Sequence, residues 1–174
     1  MAILGADSRR EVEVRRHPVL VYALVPLAAL VLQAWLPRVL GPFALFDLPL
    51  VVTIYFALGR RSPIQGMLTG GVLGLFEDAL TGHAIGINGI AKTVAGFLAA
   101  SVGARIDVDN YTIRLMLNFS LSLMCSGLYL FISRYLLGLE TQNWNWIVEL
   151  TKAVVNSVVA ILLFPMLDRY QVRD

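Results

Sequence analysis

The feature that most constrains this chain is a succession of apolar runs, each near the length of one bilayer crossing, separated only by short polar breaks. A water-soluble domain of this size needs a polar shell. Here 57% of the 174 residues are hydrophobic and 15% are charged, against about 45–50% and about 25% in ordinary soluble domains. With roughly 20 residues to a crossing, the spans read as 18–36, 43–58, 63–80, 84–102, 113–137 and 146–167. The chain is therefore expected to be an all-α integral membrane protein, a six-helix transmembrane bundle. Residues 1–17 form a cytoplasmic N-terminal segment, 18–167 the membrane domain and 168–174 a cytoplasmic tail.

Breakers agree with these boundaries. Pro18 suits a first helical turn, Pro37 with Gly41-Pro42 marks a turn, Gly59 and Pro63 bracket another, and Gly82, Gly103 and Gly138 follow apolar runs. Between spans three and four stand only Thr81, Gly82 and His83, a tight hairpin or a pair of tilted, partly re-entrant helices. The first run follows an arginine-rich segment, but it is too long for a signal-peptide core and has no small-residue cleavage site, so it is expected to be retained.

Orientation follows from the excess of Lys and Arg in cytoplasmic loops. Arg9, Arg10, Arg15, Arg16, Arg60, Arg61, Arg105, Arg114, Arg169 and Arg173 gather at one set of ends, ten in all, whereas the other set holds only Arg38 and Arg134. Both termini are thus expected inside, which requires an even number of crossings. Trp144 and Trp146 then fall in an outer interfacial belt. The net charge of +2 is small and its arginines lie at segment ends, which gives nucleic-acid binding no support.

Two kinds of constellation carry information. In span three, Gly66, Gly70 and Gly74 recur every four residues with Gly71 beside them, leaving one helix face nearly bare backbone. In span four, Gly89 and Gly96 mark a similar face, with Asn88, Lys92, Ala95 and Ala99 on or near it. Such faces gain van der Waals contact in lipid, either by tight packing within the bundle, the preferred reading, or by docking a separate transmembrane helix.

The second kind is polar. Glu149, Lys152, Asn156 and Ala160 form a stripe along span six, and Asn118, Ser122, Cys125 and Tyr129 a row along span five. An ionised group at bilayer depth costs roughly 2.5–3.5 kcal/mol on insertion scales. Lys92, Glu149 and Lys152 should therefore face protein and find partners, and Glu77, Asp78 and Glu149 are the acids available to the two lysines. Such a cluster either fixes helix register, the simpler reading, or holds a small molecule or proton.

As a catalytic or cofactor site it is poor. The chain has no HExxH, no GxSxG, no phosphate-cradling glycine loop and no nucleophile with an obvious His base, and His17 and His83 lie on opposite sides of the membrane. Its single cysteine, Cys125, has no partner for a disulfide or a metal site and reads as a packing residue. No catalytic, cofactor or metal residue is expected, and a membrane enzyme using Glu77 or Asp78 as acid or base is the least favoured reading.

The stretch from Gly66 through Gly70, Gly74, Asp78, Gly82 and Gly86 to Asn88-Gly-Ile resembles the central segment of the bacterial rod shape-determining protein MreD family, in which a glycine-rich helix runs into an acidic residue, a short turn and a Gly-hydrophobic-Asn/Gly helix start. Asp47-Leu-Pro-Leu is similar to the family's lead into its second span. The resemblance implies a non-enzymatic, multi-pass protein of the bacterial inner membrane, needing no cofactor. It implies binding to MreC within the cell-elongation machinery that includes MreB, RodA and an elongation-specific penicillin-binding transpeptidase. It also implies a fold similar to the substrate-binding subunits of energy-coupling-factor transporters. That similarity supplies the main alternative, a vitamin-type transport subunit whose ligand is held by groups such as Asn88, Lys92, Glu149 and Asn156. Under either reading the basic Arg60/Arg61 and Arg105 loops can meet cytoplasmic partners or anionic lipid.

Overall fold

A computed structural model describes residues 18–39, 45–106, 110–138 and 145–170. Arg9, Arg10, Arg15, Arg16, His17, Gly41-Pro42, Phe43, Trp144 and Arg173 lie outside the described residues. The chain forms six α-helices, α1 (Val19–Val39), α2 (Leu48–Arg60), α3 (Pro63–Thr81), α4 (Ile87–Gly103), α5 (Tyr111–Phe131) and α6 (Trp146–Asp168), and no strand among the described residues. A π-helical turn, Ile132–Leu136, prolongs α5. Three stretches, Leu20–Val39, Tyr111–Leu136 and Trp146–Asp168, are long and apolar enough to cross a membrane.

Successive helices run antiparallel. The N-terminal part of α3 meets the C-terminal part of α4 at Gly66 and Gly96, and α5 meets α6 through Arg114 with Asp168 at one end and Ser122 with Asn156 further along. Arg60, Arg61, Arg105, Arg114 and Arg169 consequently collect at one end of the bundle, and Arg38, Arg134 and the start of α6 at Trp146 at the other. These are called the Arg60 end and the Trp146 end.

Four of the helix limits that differ from those expected are informative. α2 begins at Leu48 rather than five residues earlier, because the Asp47 carboxylate caps it by accepting the Leu50 N–H at 2.9 Å. α1 continues past Leu36 with Pro37 inside the helix. α4 begins at Ile87 instead of Ala84, since the hairpin is completed by Gly82 and Gly86 at φ 74° and 104°, a left-handed conformation that side chains disfavour. α5 starts two residues early, with the Asn110 side chain accepting the Thr112 N–H.

The shortest helix is the most central. Every residue of α2 from Pro49 to Leu58 is buried, as befits a helix that is apolar all round. On one side Leu50, Ile54 and Leu58 pack with the alanines of α4 and with Leu121 and Cys125 of α5. On the other, Val51, Val52, Tyr55 and Phe56 pack with Ala29 and Leu30 of α1 and with Ala160 and Phe164 of α6. The outer helices instead expose leucines, valines and isoleucines, such as Leu24, Leu68, Val158 and Leu162, the surface expected where the surrounding solvent is lipid.

The glycine face of α3 is filled by α4. A Cβ on Gly66 would collide with the carbonyl of Gly96, one on Gly70 with that of Lys92, and one on Gly74 with that of Asn88. Each step of four along α3 is matched by a step of four back along α4, so the backbones touch at three successive points over about two turns. Thr53 of α2 covers this seam at Gly70 and Gly96. Gly127 of α5, by contrast, faces open space.

This contrast gives opposite signs to one substitution. Gly70→Ala must push two backbones apart and should cost about 1–3 kcal/mol. Gly127→Ala should leave stability unchanged or raise it by roughly 0.5–1 kcal/mol, through helix propensity alone. Thermal unfolding in detergent checks both, and equal effects would show that the α3–α4 contact is loose.

Candidate functional site: a buried ion cluster beneath a polar cavity

The site grows from Lys92, whose side chain is 1% exposed in the middle of α4. Its ammonium pairs with Glu77 of α3 and, at 2.9 Å, with Asp47 at the head of α2. One cation thus joins three helices. Asp47 is further fixed through its backbone N–H, which donates to Asn156 Oδ1 of α6 at 2.8 Å, while Asn156 Nδ2 donates to Ser122 Oγ of α5 at 2.9 Å. Gln33 of α1 completes the ring, donating to the Phe46 carbonyl and accepting the Leu48 N–H. All six helices therefore touch one polar network around the start of α2.

The residues singled out by the sequence divide between four tasks. Glu77, Lys92 and Asn156 belong to this network. Asp78, one residue from Glu77, does not meet either lysine. Its Oδ2 accepts the N–H groups of Gly86 at 2.8 Å, Asn88 at 3.1 Å and Gly89 at 3.4 Å, and its Oδ1 accepts from Asn88 Nδ2. It is the anionic cap of α4, placed where orphan N–H groups and the helix dipole favour a carboxylate. Glu149 and Lys152 pair with each other at 2.9 Å, one turn apart on α6. Of the glycines, Gly66, Gly70, Gly74 and Gly96 lie in the α3–α4 seam, and Gly89 meets Leu75 and Gly74 there.

Sequence reasoning missed Asp47 as the second partner of Lys92. The available signal was Asp followed by Leu-Pro, a helix-start pattern, before a span too short to reach the outer surface. It also missed a second cluster at the Arg60 end. Arg114, counted among the basic residues at the span ends, is buried and donates to Asp168 Oδ2 at 2.8 Å, and Tyr55 donates to Asp168 Oδ1 at 2.8 Å. Between the clusters, Asn118 is fully buried and neither amide atom has a hydrogen-bond partner.

Above Asp47 and Glu77 opens a cavity of about 410 Å³. Its wall includes Ser126 and Tyr129 of α5, Glu149 and Lys152 of α6, and Ala34 and Pro37 of α1. His83 and Tyr129 meet edge to face at its rim, with ring centroids 6.2 Å apart. No group of three or more His, Cys, Asp or Glu among the described residues is arranged to hold a metal.

A helical bundle with apolar outer faces and its charges paired inside is a membrane protein whose interior polar groups hold helices together. A family model described as rod shape-determining protein MreD matches residues 15–172. The chain belongs to this family, and with it to the components that determine rod shape. Comparison with curated proteins and with solved structures finds no match.

Removing one partner from a buried pair leaves an uncompensated charge and typically costs about 3–5 kcal/mol, whereas replacing the whole group is often neutral. Lys92→Met should therefore strongly lower the thermal stability of the protein in detergent, and Lys92→Glu should lower it further. The triple variant Asp47→Asn, Glu77→Gln, Lys92→Met should recover most of the loss. A Lys92→Met protein as stable as the wild type would separate the cluster from the fold.

Proposed function

We propose that this protein is a non-enzymatic, six-span component of the bacterial inner membrane that binds MreC and helps to organise peptidoglycan synthesis during cell elongation. Both termini lie in the cytoplasm in this reading. The observation that carries it is the family match over residues 15–172. The arrangement of charge supports the orientation, because the arginine-rich Arg60 end is the expected cytoplasmic face and the Trp146 end then faces outward. Within the wider assembly RodA, an elongation-specific penicillin-binding transpeptidase and MreB are the further partners, and lipid is the solvent for the outer faces.

The packing of α3 bears on where a partner helix can dock. Gly66, Gly70 and Gly74 are consumed by α4, so a transmembrane segment from MreC has to use another face. The glycine seam then contributes indirectly, by making the bundle rigid enough to present a fixed surface. Short connections suit that role: two residues join α2 to α3 and five join α3 to α4.

Affinity purification from the native membrane in mild detergent, with mass spectrometry of what co-purifies, tests the reading. Recovery of a single-span protein with a large extracytoplasmic coiled-coil and β domain is expected. Recovery of a membrane scaffold with paired ATPases would instead identify a transport subunit. Substitutions in the glycine seam should reduce partner recovery only to the extent that they lower thermal stability.

A further inference from the structure

We infer that the cavity at the Trp146 end is a binding site for a small organic cation, an ammonium or guanidinium compound of about the size of an amino acid. Its volume of about 410 Å³ falls within the range of about 300–1,000 Å³ found for small-molecule sites. The chemistry of the ligand follows from which lining groups are already engaged. Gln33 has both its amide groups bonded to backbone, and Asn156 spends both of its own on Asp47 and Ser122. Each amide keeps one N–H and one acceptor lone pair, so these side chains select neither sign of charge.

The carboxylates differ. Asp47 uses Oδ1 for both the Leu50 N–H and Lys92, Glu77 uses Oε2 for Lys92, and Glu149 uses Oε1 for Lys152. Among the described residues, the other oxygen of each acid makes no hydrogen bond or ion pair, and all three acids line the cavity. The three acids share two ammonium groups, which leaves carboxylate acceptors in excess of ammonium donors in a partly desolvated space. Arg38 stands exposed at the rim with its guanidinium on the Leu80 carbonyl and does not neutralise the floor. A ligand that fits must bring donors and positive charge. The rings of Phe46 and Tyr129 in the wall can face such a cation, and Ala34, Pro37 and Leu130 offer apolar surface for its body.

The inference rests on the lining and not on the partner proposed above. Titration calorimetry of the purified full chain in lipid nanodiscs tests it, using cadaverine, lysine and arginine as cationic probes and 1,5-pentanediol and glutarate as neutral and anionic probes. Saturable binding of at least one cationic probe, with neither control binding, is the expected result. Glu149→Gln should weaken that binding tenfold or more, and Ser126→Phe, which fills the cavity without touching an ion pair, should abolish it. No binding of any amine up to about 10 mM, a weak limit on the affinity scale, would overturn the assignment. So would equal binding of the diol or the diacid, or full binding by the Ser126→Phe protein. The comparison of probes on the wild-type chain needs no variant and decides the matter even if a variant fails to fold.

Discussion

The ammonium of Lys92 is the interaction on which the interior depends. A lysine in the middle of a membrane helix is tolerable only with partners, and its two partners, Asp47 and Glu77, come from α2 and α3. The ion cluster therefore does more than neutralise charge. It fixes where α2 begins relative to α3 and α4, because Asp47 is at once an ion-pair partner and the cap of its helix. Had the three positions been apolar, the start of α2 would lose this fix against α3 and α4, since lipid tails solvate apolar faces about as well as protein does.

The glycine seam supplies the other half of that specification. Gly66, Gly70 and Gly74 bring α3 against the carbonyls of Gly96, Lys92 and Asn88, and the next step of four is Asp78, whose carboxylate gathers the N–H groups at the start of α4. One helix face thus passes from backbone contact to anionic cap without a break. Close packing sets the distance between the helices, while Asp78 and Glu77, adjacent in sequence, set their register through different partners.

Much of this could be read from residues alone, and the parts that could not share a cause. Apolar run length and breakers locate six helices because hydropathy and turn chemistry are local properties. The four-residue glycine spacing marks a close-packed face for the same reason. That Lys92 requires acids follows from solvation, but which acids it meets is a question of depth, and depth depends on how far each helix reaches. Asp47 looked like an interior residue of span two because that span was taken to start at Phe43, four residues before the acid that in fact caps the helix. Arg114 looked like one more basic residue at a span end, although its side chain is buried in α5 and pairs with Asp168 from the far end of the chain. The assignment of Asp78 to the lysines failed for a different reason. Two acids in succession on a helix point about 100° apart, so only one of them could face Lys92.

The length of α2 explains why one end of the bundle is open and the other closed. Thirteen residues rise about 20 Å, whereas the hydrocarbon layer is about 30 Å thick. A helix exposed to lipid could not stop so short, but α2 is enclosed by its neighbours and its first N–H groups are met by Gln33 and Asp47. At the Arg60 end, Tyr55, Arg114 and Asp168 close the interior over the last turns of α2. At the Trp146 end the central helix stops early while α1, α5 and α6 continue, and the space it leaves is the cavity. The polar residues around that space follow from the same geometry, because the start of a helix buried in the bundle needs acceptors and counter-charges that its neighbours must provide. A short central helix, its anionic cap and the cavity above it are consequences of one choice of length.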